Sequence, residues 1–163
     1  MRLKYCPVCG AKLSLRQHPT DGPVAWCPAC EDWRYPLFTI AVSVAVLDPM
    51  RTRMLLIRQY GEPGSVFVAG YVDKGETAED AVVREVREEL GMTARELRFH
   101  RSRWYAPSET LMLHYIAVVR ETEARPNWEV DGWEWVPVGE ALARVAPGGL
   151  AEALLRDSFD NEE

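Results

Sequence analysis

The sequence predicts two units: a small four-cysteine ribbon first, and behind it a strand-rich α+β domain built around one strongly charged helix. Three observations carry this reading. All four cysteines fall within the first thirty residues, as two Cys-x-x-Cys pairs. Beyond Pro36 the chain changes to Val-, Ile- and Leu-rich runs of strand length. Among those runs, residues 77–91 show helical periodicity with helix signals at both ends. At 163 residues, 47% hydrophobic and 27% charged, the chain has a globular composition and the length to bury a sizeable core. Its longest apolar stretch, Leu37 to Leu47, is broken by Thr39 and Ser43 and has about half the length needed to cross a bilayer. No membrane partner is expected. Met1 to Cys6 lack an apolar h-region, so the expected location is the cytoplasm.

The ribbon is expected over residues 1–34. Cys6-Pro7-Val8-Cys9 and Cys27-Pro28-Ala29-Cys30 stand seventeen residues apart, the spacing of a four-thiolate zinc site. A two-residue gap lets both thiolates of a pair reach one ion, and the intervening segment can form the strands that bring the pairs together. Two disulfides would need an oxidising compartment, which nothing in the sequence suggests. With thiolate at all four positions no coordination site is open to water, so Zn²⁺ held by Cys6, Cys9, Cys27 and Cys30 is read as structural. A ribbon this small has too little core to fold without its metal. Its alternative use, as a recognition module, is disfavoured because its five basic side chains are scattered.

Residues 35–163 form the second expected domain. Phe38 to Leu47 reads as a buried strand closed by the turn signal Asp48-Pro49, and Arg53 to Tyr60 as its successor. Val66-Phe67-Val68 is a short third strand expected to stop at Gly70. Leu97–Tyr105, Leu111–Arg120 and Trp133–Val138 are further strands. Helical stretches follow near Glu140–Val145 and Leu150–Arg156, and Asp160 to Glu163 reads as a frayed tail. Thr77 followed by Asp80 resembles a capping box, and Gly91 stands where a helix end requires a left-handed residue. Val82, Val83, Val86 and Leu90 project into one quadrant as the apolar stripe of that helix. Met50, Met54 and Met112 are read as core, while His18, His100 and His114 match no ligand spacing.

Glu85, Glu88 and Glu89 are related by three and four residues and fall on a separate face of the helix. Like charges one turn apart repel, more so when partly desolvated, and a hard divalent cation such as Mg²⁺ or Mn²⁺ relieves the repulsion. A solvated acidic face balanced by Arg84 and Arg87 would be the bland alternative for an isolated run of this kind. The larger pattern decides against it. Reading outward gives Gly70-x5-Glu76-x7-Arg84-Glu85-Val86-x-Glu88-Glu89-x-Gly91-Met92, which resembles the complete box of the Nudix hydrolase family. The resemblance implies an α/β/α sandwich with a mixed sheet across residues 35–156. It implies hydrolysis of a nucleoside diphosphate linked to another moiety, water attacking phosphorus.

By the same resemblance Glu85, Glu88 and Glu89 form the metal-ligand and base cluster, joined by the main-chain carbonyl of Ala69. Arg84 orients a glutamate, Glu76 braces the loop and Gly70 allows close packing that a side chain would block. Family members often draw one more acidic group from a later loop. Glu129 is the best match, ahead of Glu134 and Glu109, and either Glu85 or Glu129 could serve as base.

A zinc ribbon directly upstream resembles the NADH pyrophosphatase subgroup, which cleaves NAD(H) to nicotinamide mononucleotide and AMP. Tyr35-Pro36 and Tyr71 match aromatic positions of that subgroup, and two rings could sandwich a flat heterocycle. The segment from Ser102 to Met112 matches a post-box motif in part: Ser102, Leu111 and Met112 keep register, but Arg103 replaces glutamine and Trp104 is displaced by one position. Arg103 and Trp104 are retained as substrate-side candidates, Arg103 for a phosphate. A small-molecule nucleotide is the expected partner. ADP-ribose hydrolysis, or a non-catalytic nucleotide sensor whose ribbon meets a partner, is the alternative. The subgroup is dimeric, which implies a homodimer.

The net charge of −6 argues against a non-specific grip on nucleic acid, so RNA is expected only as a capped 5′ end. Residues 120–163 supply the imbalance, with eleven acidic against four basic groups. Bound cations at the glutamates would make an anionic substrate compatible with that acidity.

Overall fold

A computed structural model describes residues 3–159, without the side chains of Ser158 and Phe159; the expected tail, Asp160 to Glu163, lies outside the described residues. The chain divides into two compact units between Thr39 and Ile40. The first is a three-stranded antiparallel sheet of β1 (Ser14–His18), β2 (Gly22–Cys27) and β3 (Asp32–Arg34). Trp26 and Trp33 meet edge to face at 4.8 Å across the β2–β3 pair, and Arg16 lies over the Trp26 ring. The unit therefore has a small aromatic surface and few buried aliphatic residues, Val24 among them.

The second unit is a mixed sheet with helices on both faces. Its strands are β4 (Thr39–Leu47), β5 (Arg53–Gln59), β6 (Val68–Tyr71), β7 (Ala94–Tyr105), β8 (Thr110–Val119) and β9 (Val130–Pro137). Their order is β7-β8-β4-β5-β9, with β6 paired to β4. The expected third strand is displaced: Val66 makes only an isolated bridge to Ile57, and β6 runs through Gly70, which pairs with Val42. Gly70 fits a strand here because the helix side chain above it leaves no room for a Cβ.

Alternation sorts the strands between two cores. Val42, Val44 and Val46 of β4, with Leu55 and Ile57 of β5, pack under α1 (Ala78–Leu90). Ala45, Met54 and Leu56 point the other way, onto α2 (Ala141–Arg144) and α3 (Leu150–Phe159). Each fully buried aliphatic side chain contributes roughly 1.5–3 kcal/mol. Two expectations need correction at the surface. Phe38 and Ile40 are exposed, so burial of β4 starts at Ala41; Met50 lies on the β4–β5 turn and is exposed.

Helix α1 is fixed at both ends. Thr77 Oγ1 accepts from the Asp80 amide at 3.1 Å, and Gly91 adopts φ 65° while its amide reaches the Arg87 carbonyl at 2.9 Å. The buried face comprises Ala81, Val82, Glu85, Val86, Glu89 and Leu90. Val83 is exposed, contrary to the expected stripe. The buried arc is centred between the valines and the glutamates, so Val83 falls beyond one edge and Glu88 beyond the other. Glu85 and Glu89 are thus not on a separate face; they lie within the packed one.

Candidate active site

In the first unit, the Cys6 amide bonds to the Ala11 carbonyl at 2.8 Å and the Gly10 amide to the Cys6 carbonyl at 2.9 Å, curling the chain around the first pair. The Cys30 amide donates to Cys27 Sγ at 3.4 Å in the second pair. All four sulfurs lie within 4.8 Å of one another. Burial opposes ionisation of Cys6, but Arg34 and the amides of Cys9 and Val8 outweigh it and hold the thiol down at about 6. Cys30 is pushed up to about 12, first by its thiol neighbours Cys9 and Cys27. Four sulfurs this close cannot all ionise without a cation, and soft thiolates in this number suit Zn²⁺. Arg34 Nε donates to Cys6 Sγ at 3.2 Å and would offset part of the excess charge of a four-thiolate centre.

In the second unit the site assembles where β6 meets α1. A Cβ placed on Gly70 would lie 1.8 Å from Glu85 Oε1, so the missing side chain is the space that the Glu85 carboxylate occupies. Arg84 ties this region together. Its Nε and Nη2 reach the two Glu76 carboxylate oxygens at 2.9 and 3.0 Å, Nη1 reaches Glu85 Oε1 at 2.6 Å, and Nη2 also reaches the Tyr71 carbonyl at 2.8 Å. Glu76 in turn accepts from the Asp73 amide at 3.0 Å. This bidentate pairing pulls the Glu76 carboxyl down to about 2, so the strut stays charged across neutral pH. One guanidinium thereby fixes the loop after β6 against the acidic helix turn.

Glu89 is 2% exposed. Burial first, then the charges of Glu85 and Glu129, push its carboxyl up to about 8; Gln59 and the Ala69 amide counter this only in part. Gln59 Nε2 donates to Glu89 Oε2 at 3.0 Å. Burial also raises Glu85, against the opposing pull of Arg84. Two buried glutamates beside a third acidic group resist ionising together, a condition that a hard divalent cation relieves. Glu88 is exposed and lies 3.4 Å from Arg84 Nη1. Among the described residues, the cysteines are the one cluster of three or more ligand-type side chains; the helix carboxylates do not form another.

Glu129 is brought to the cluster, since its charge acts on both Glu85 and Glu89. Its loop is held by Asn127, whose Oδ1 accepts from the Glu129 amide at 2.9 Å and whose own amide reaches the Glu89 carbonyl at 3.1 Å. Glu134 is exposed and faces Arg144 at 3.6 Å, while Glu109 occupies a left-handed turn position after Ser108. Gln59, Tyr60 and Asn127 were not singled out by the sequence. Tyr60 is exposed and is raised by burial and by the charges of Glu129, Glu89 and Glu85, which places it at the mouth. Their one sequence signal was position: Gln59 and Tyr60 end an apolar strand, and Asn127 follows a proline in a turn-forming run.

The substrate-side candidates separate. Tyr71 is exposed beside the Arg84 clamp. Tyr35 belongs to the ribbon unit, where its hydroxyl donates to Asp21 Oδ2 at 2.8 Å. Arg103 is ion-paired to Asp157 of α3, and Trp104 is about half exposed at the end of β7. Neither is shown against the acidic cluster.

Comparison with known proteins agrees with this geometry. The Nudix domain family model matches residues 37–155. The NAD-capped RNA hydrolase NudC of Vibrio parahaemolyticus is 29% identical over 164 residues, covering 98% of this chain and 60% of that protein. NAD-capped RNA hydrolase ndx-9 of Caenorhabditis elegans is 32% identical, covering 98% of this chain and 44% of its own length. The chain thus spans 60% and 44% of the length of these two curated relatives. A Nudix hydrolase structure from Nitrosomonas europaea superposes with a TM-score of 0.66 at 19% identity, covering 98% of this chain and 92% of that one. With the complete box folded onto a β6–α1 junction and the family model spanning most of the chain, this protein belongs to the Nudix hydrolase family.

Proposed function

We propose that the chain hydrolyses the pyrophosphate of a nicotinamide–adenine dinucleotide, free or as the capped 5′ end of an RNA, giving nicotinamide mononucleotide and AMP or the corresponding RNA 5′-monophosphate. The observation that carries the reading is Glu89, buried against Glu85 and Glu129 with only Gln59 and an amide in partial compensation. Such a cluster is poised for cations, and a cation-loaded acidic site receives a polyanion. Glu85, Glu88, Glu89, Glu129 and the Ala69 carbonyl would hold Mg²⁺ or Mn²⁺. When bound, these ions neutralise the pyrophosphate oxygens and lower the pKa of water. Cys6, Cys9, Cys27 and Cys30 would hold Zn²⁺.

The chain's own residues supply the rest. Water forms the new P–O bond while the bridging P–O bond breaks, and the proton leaves to a carboxylate, Glu85 or Glu129. Arg84 keeps Glu85 aimed across Gly70. Tyr71 offers an exposed ring for a base, with Tyr35, Arg103 and Trp104 as the remaining substrate-side candidates. The names of the relatives support the dinucleotide and its RNA-capping form over other nucleotides.

The test is a panel of NADH, NAD, NAD-capped RNA, ADP-ribose, diadenosine polyphosphates and nucleoside triphosphates with Mg²⁺ or Mn²⁺, products identified by mass spectrometry. NAD-type substrates are expected to turn over fastest, and Glu89→Gln to abolish hydrolysis without unfolding. Faster cleavage of ADP-ribose would move the assignment to that substrate. Tight binding with no turnover of any compound would make the site a sensor.

A further inference from the structure

On the sheet face opposite α1 lies a cavity of about 210 Å³, remote from the acidic cluster. Its apolar wall includes Leu47, Met54, Phe67, Ile116 and Leu154. It lies toward the β4–β5 turn, and Met54 is separated along β5 from Gln59 of the acidic site by roughly 17 Å of strand. His114 lines it at 1% exposure, and neither imidazole nitrogen has a hydrogen-bond partner. Buried polar atoms are nearly always paired, and each exception requires an account. A purely structural residue on this face would be apolar, as Ile116, two positions along the same strand, is.

Charge identifies what is missing. Arg98 and His100 also line the cavity, and Arg98 has no ion pair among the described residues. Arg101 and Arg103 both bind one carboxylate, Asp157. Two guanidinium groups thus share Asp157 beside the cavity, while Arg98 lines it, a locally cationic region in an otherwise acidic protein. Burial holds His114 well below its usual range, at about 4, so at neutral pH it offers one N–H donor and one acceptor nitrogen. An engineered cavity of about 150 Å³ admits benzene, so this volume suits an apolar body of one ring or a short chain.

We propose that this cavity is a binding site for a small carboxylate with an apolar body, the body lying among Leu47, Phe67 and Leu154, the carboxylate accepting from Arg98 and, with a turn of the buried imidazole toward the cavity, from the His114 N–H. A planar carboxylate matches the guanidinium fork, whereas an alcohol or a bare inorganic anion satisfies only half of the site. The site is independent of the hydrolytic assignment, and its test needs no substrate.

The experiment is calorimetric titration of the whole chain with benzoate and with hexanoate, using benzyl alcohol and inorganic phosphate as controls. Saturable binding of either carboxylate at one site per chain is expected, at least tenfold tighter than both controls. Arg98→Ala lies at the surface and is expected to weaken binding at least tenfold with the fold intact. His114→Phe keeps a ring in place and removes the N–H, and should weaken binding at least tenfold; Arg98→Ala decides the matter if that variant fails to fold. No saturable binding at millimolar carboxylate would make this a water-filled cavity only and overturn the proposal. Binding unchanged in Arg98→Ala would overturn it equally, by placing the ligand elsewhere.

Discussion

The two acidic clusters of this protein are opposites in construction. The ribbon gathers four sulfurs within 4.8 Å of one another, on a sheet with little core. The α1 carboxylates are carried by a well-packed helix and differ in setting, Glu88 exposed, Glu85 engaged by Arg84 and Glu89 buried. In the first case four thiolates would complete the coordination sphere of a zinc ion, and the unit would depend on that ion to fold. In the second the fold is secured by Val82, Val86 and Leu90, and carboxylates holding a divalent ion would leave positions for water and a phosphate. A closed site and an open one are therefore distinguishable by what stabilises the scaffold around them.

The largest expected effect breaks the ribbon side of this contrast. Cys9→Ser removes a ligand from a centre whose binding energy is on the order of 10 kcal/mol and is also the folding energy of its unit. Limited proteolysis is expected to cut within the first unit while hydrogen exchange in β4, β5 and α1 stays slow. Zinc content below one ion per chain should accompany the cut. Slow exchange throughout both units in the metal-free variant would remove the contrast.

Next in size is Gly70→Ala. Its Cβ would collide with the Glu85 carboxylate, the movable end of a side chain, and not with backbone. Stability is expected to fall by less than about 1 kcal/mol, because the tip can swing aside. Hydrolysis should fall at least about a hundredfold, equivalent to about 2.7 kcal/mol, because Glu85 is no longer aimed. Equal losses in thermal midpoint and turnover would mean that Gly70 serves packing alone. Arg84→Lys sharpens the point with a smaller effect. It keeps the charge but loses the fork that spans Glu76, Glu85 and the Tyr71 carbonyl, so kcat should drop about tenfold or more with little change in unfolding.

How much of this was legible in the sequence depends on whether local spacing or tertiary packing decided the outcome. Cys-x-x-Cys pairs, the Thr77 cap and the left-handed Gly91 are local devices, and they appear where the residues are. The stripe on α1 was misplaced because a helical projection weights hydrophobicity, whereas the sheet beneath buries whichever arc faces it, glutamates included. Gly70 was expected to end a strand; in the fold its backbone pairs normally while its missing Cβ serves the helix above. Gln59 and Asn127 were invisible for a related reason. Their contacts with Glu89 span 30 and 38 residues, and no periodicity links partners so far apart.

The most gradual predicted effect, spread over several pH units, is a pH dependence of the metal-free protein, and its sign follows from Glu89. The folded carboxyl titrates near 8 against an ordinary 4.5. A group raised on folding contributes stability that is fully present below about 4.5 and is lost as pH rises through about 8. His114, lowered by burial to about 4 from 6.5, acts oppositely: its contribution is lost as pH falls between those values. The raw curve therefore mixes two slopes, and the difference between the parent chain and Glu89→Gln isolates one. Measured by urea unfolding in chelator, with the second unit followed by its own probe, that difference should move in favour of the variant from pH 5 to pH 8, by at most about 1.4 kcal/mol per pH unit. Saturating Mg²⁺ should cancel the advantage, because a cation stabilises the ionised Glu89 that the variant lacks. A flat difference in chelator would mean that Glu89 is not held protonated by its neighbours, and the open site would then owe nothing to stored repulsion.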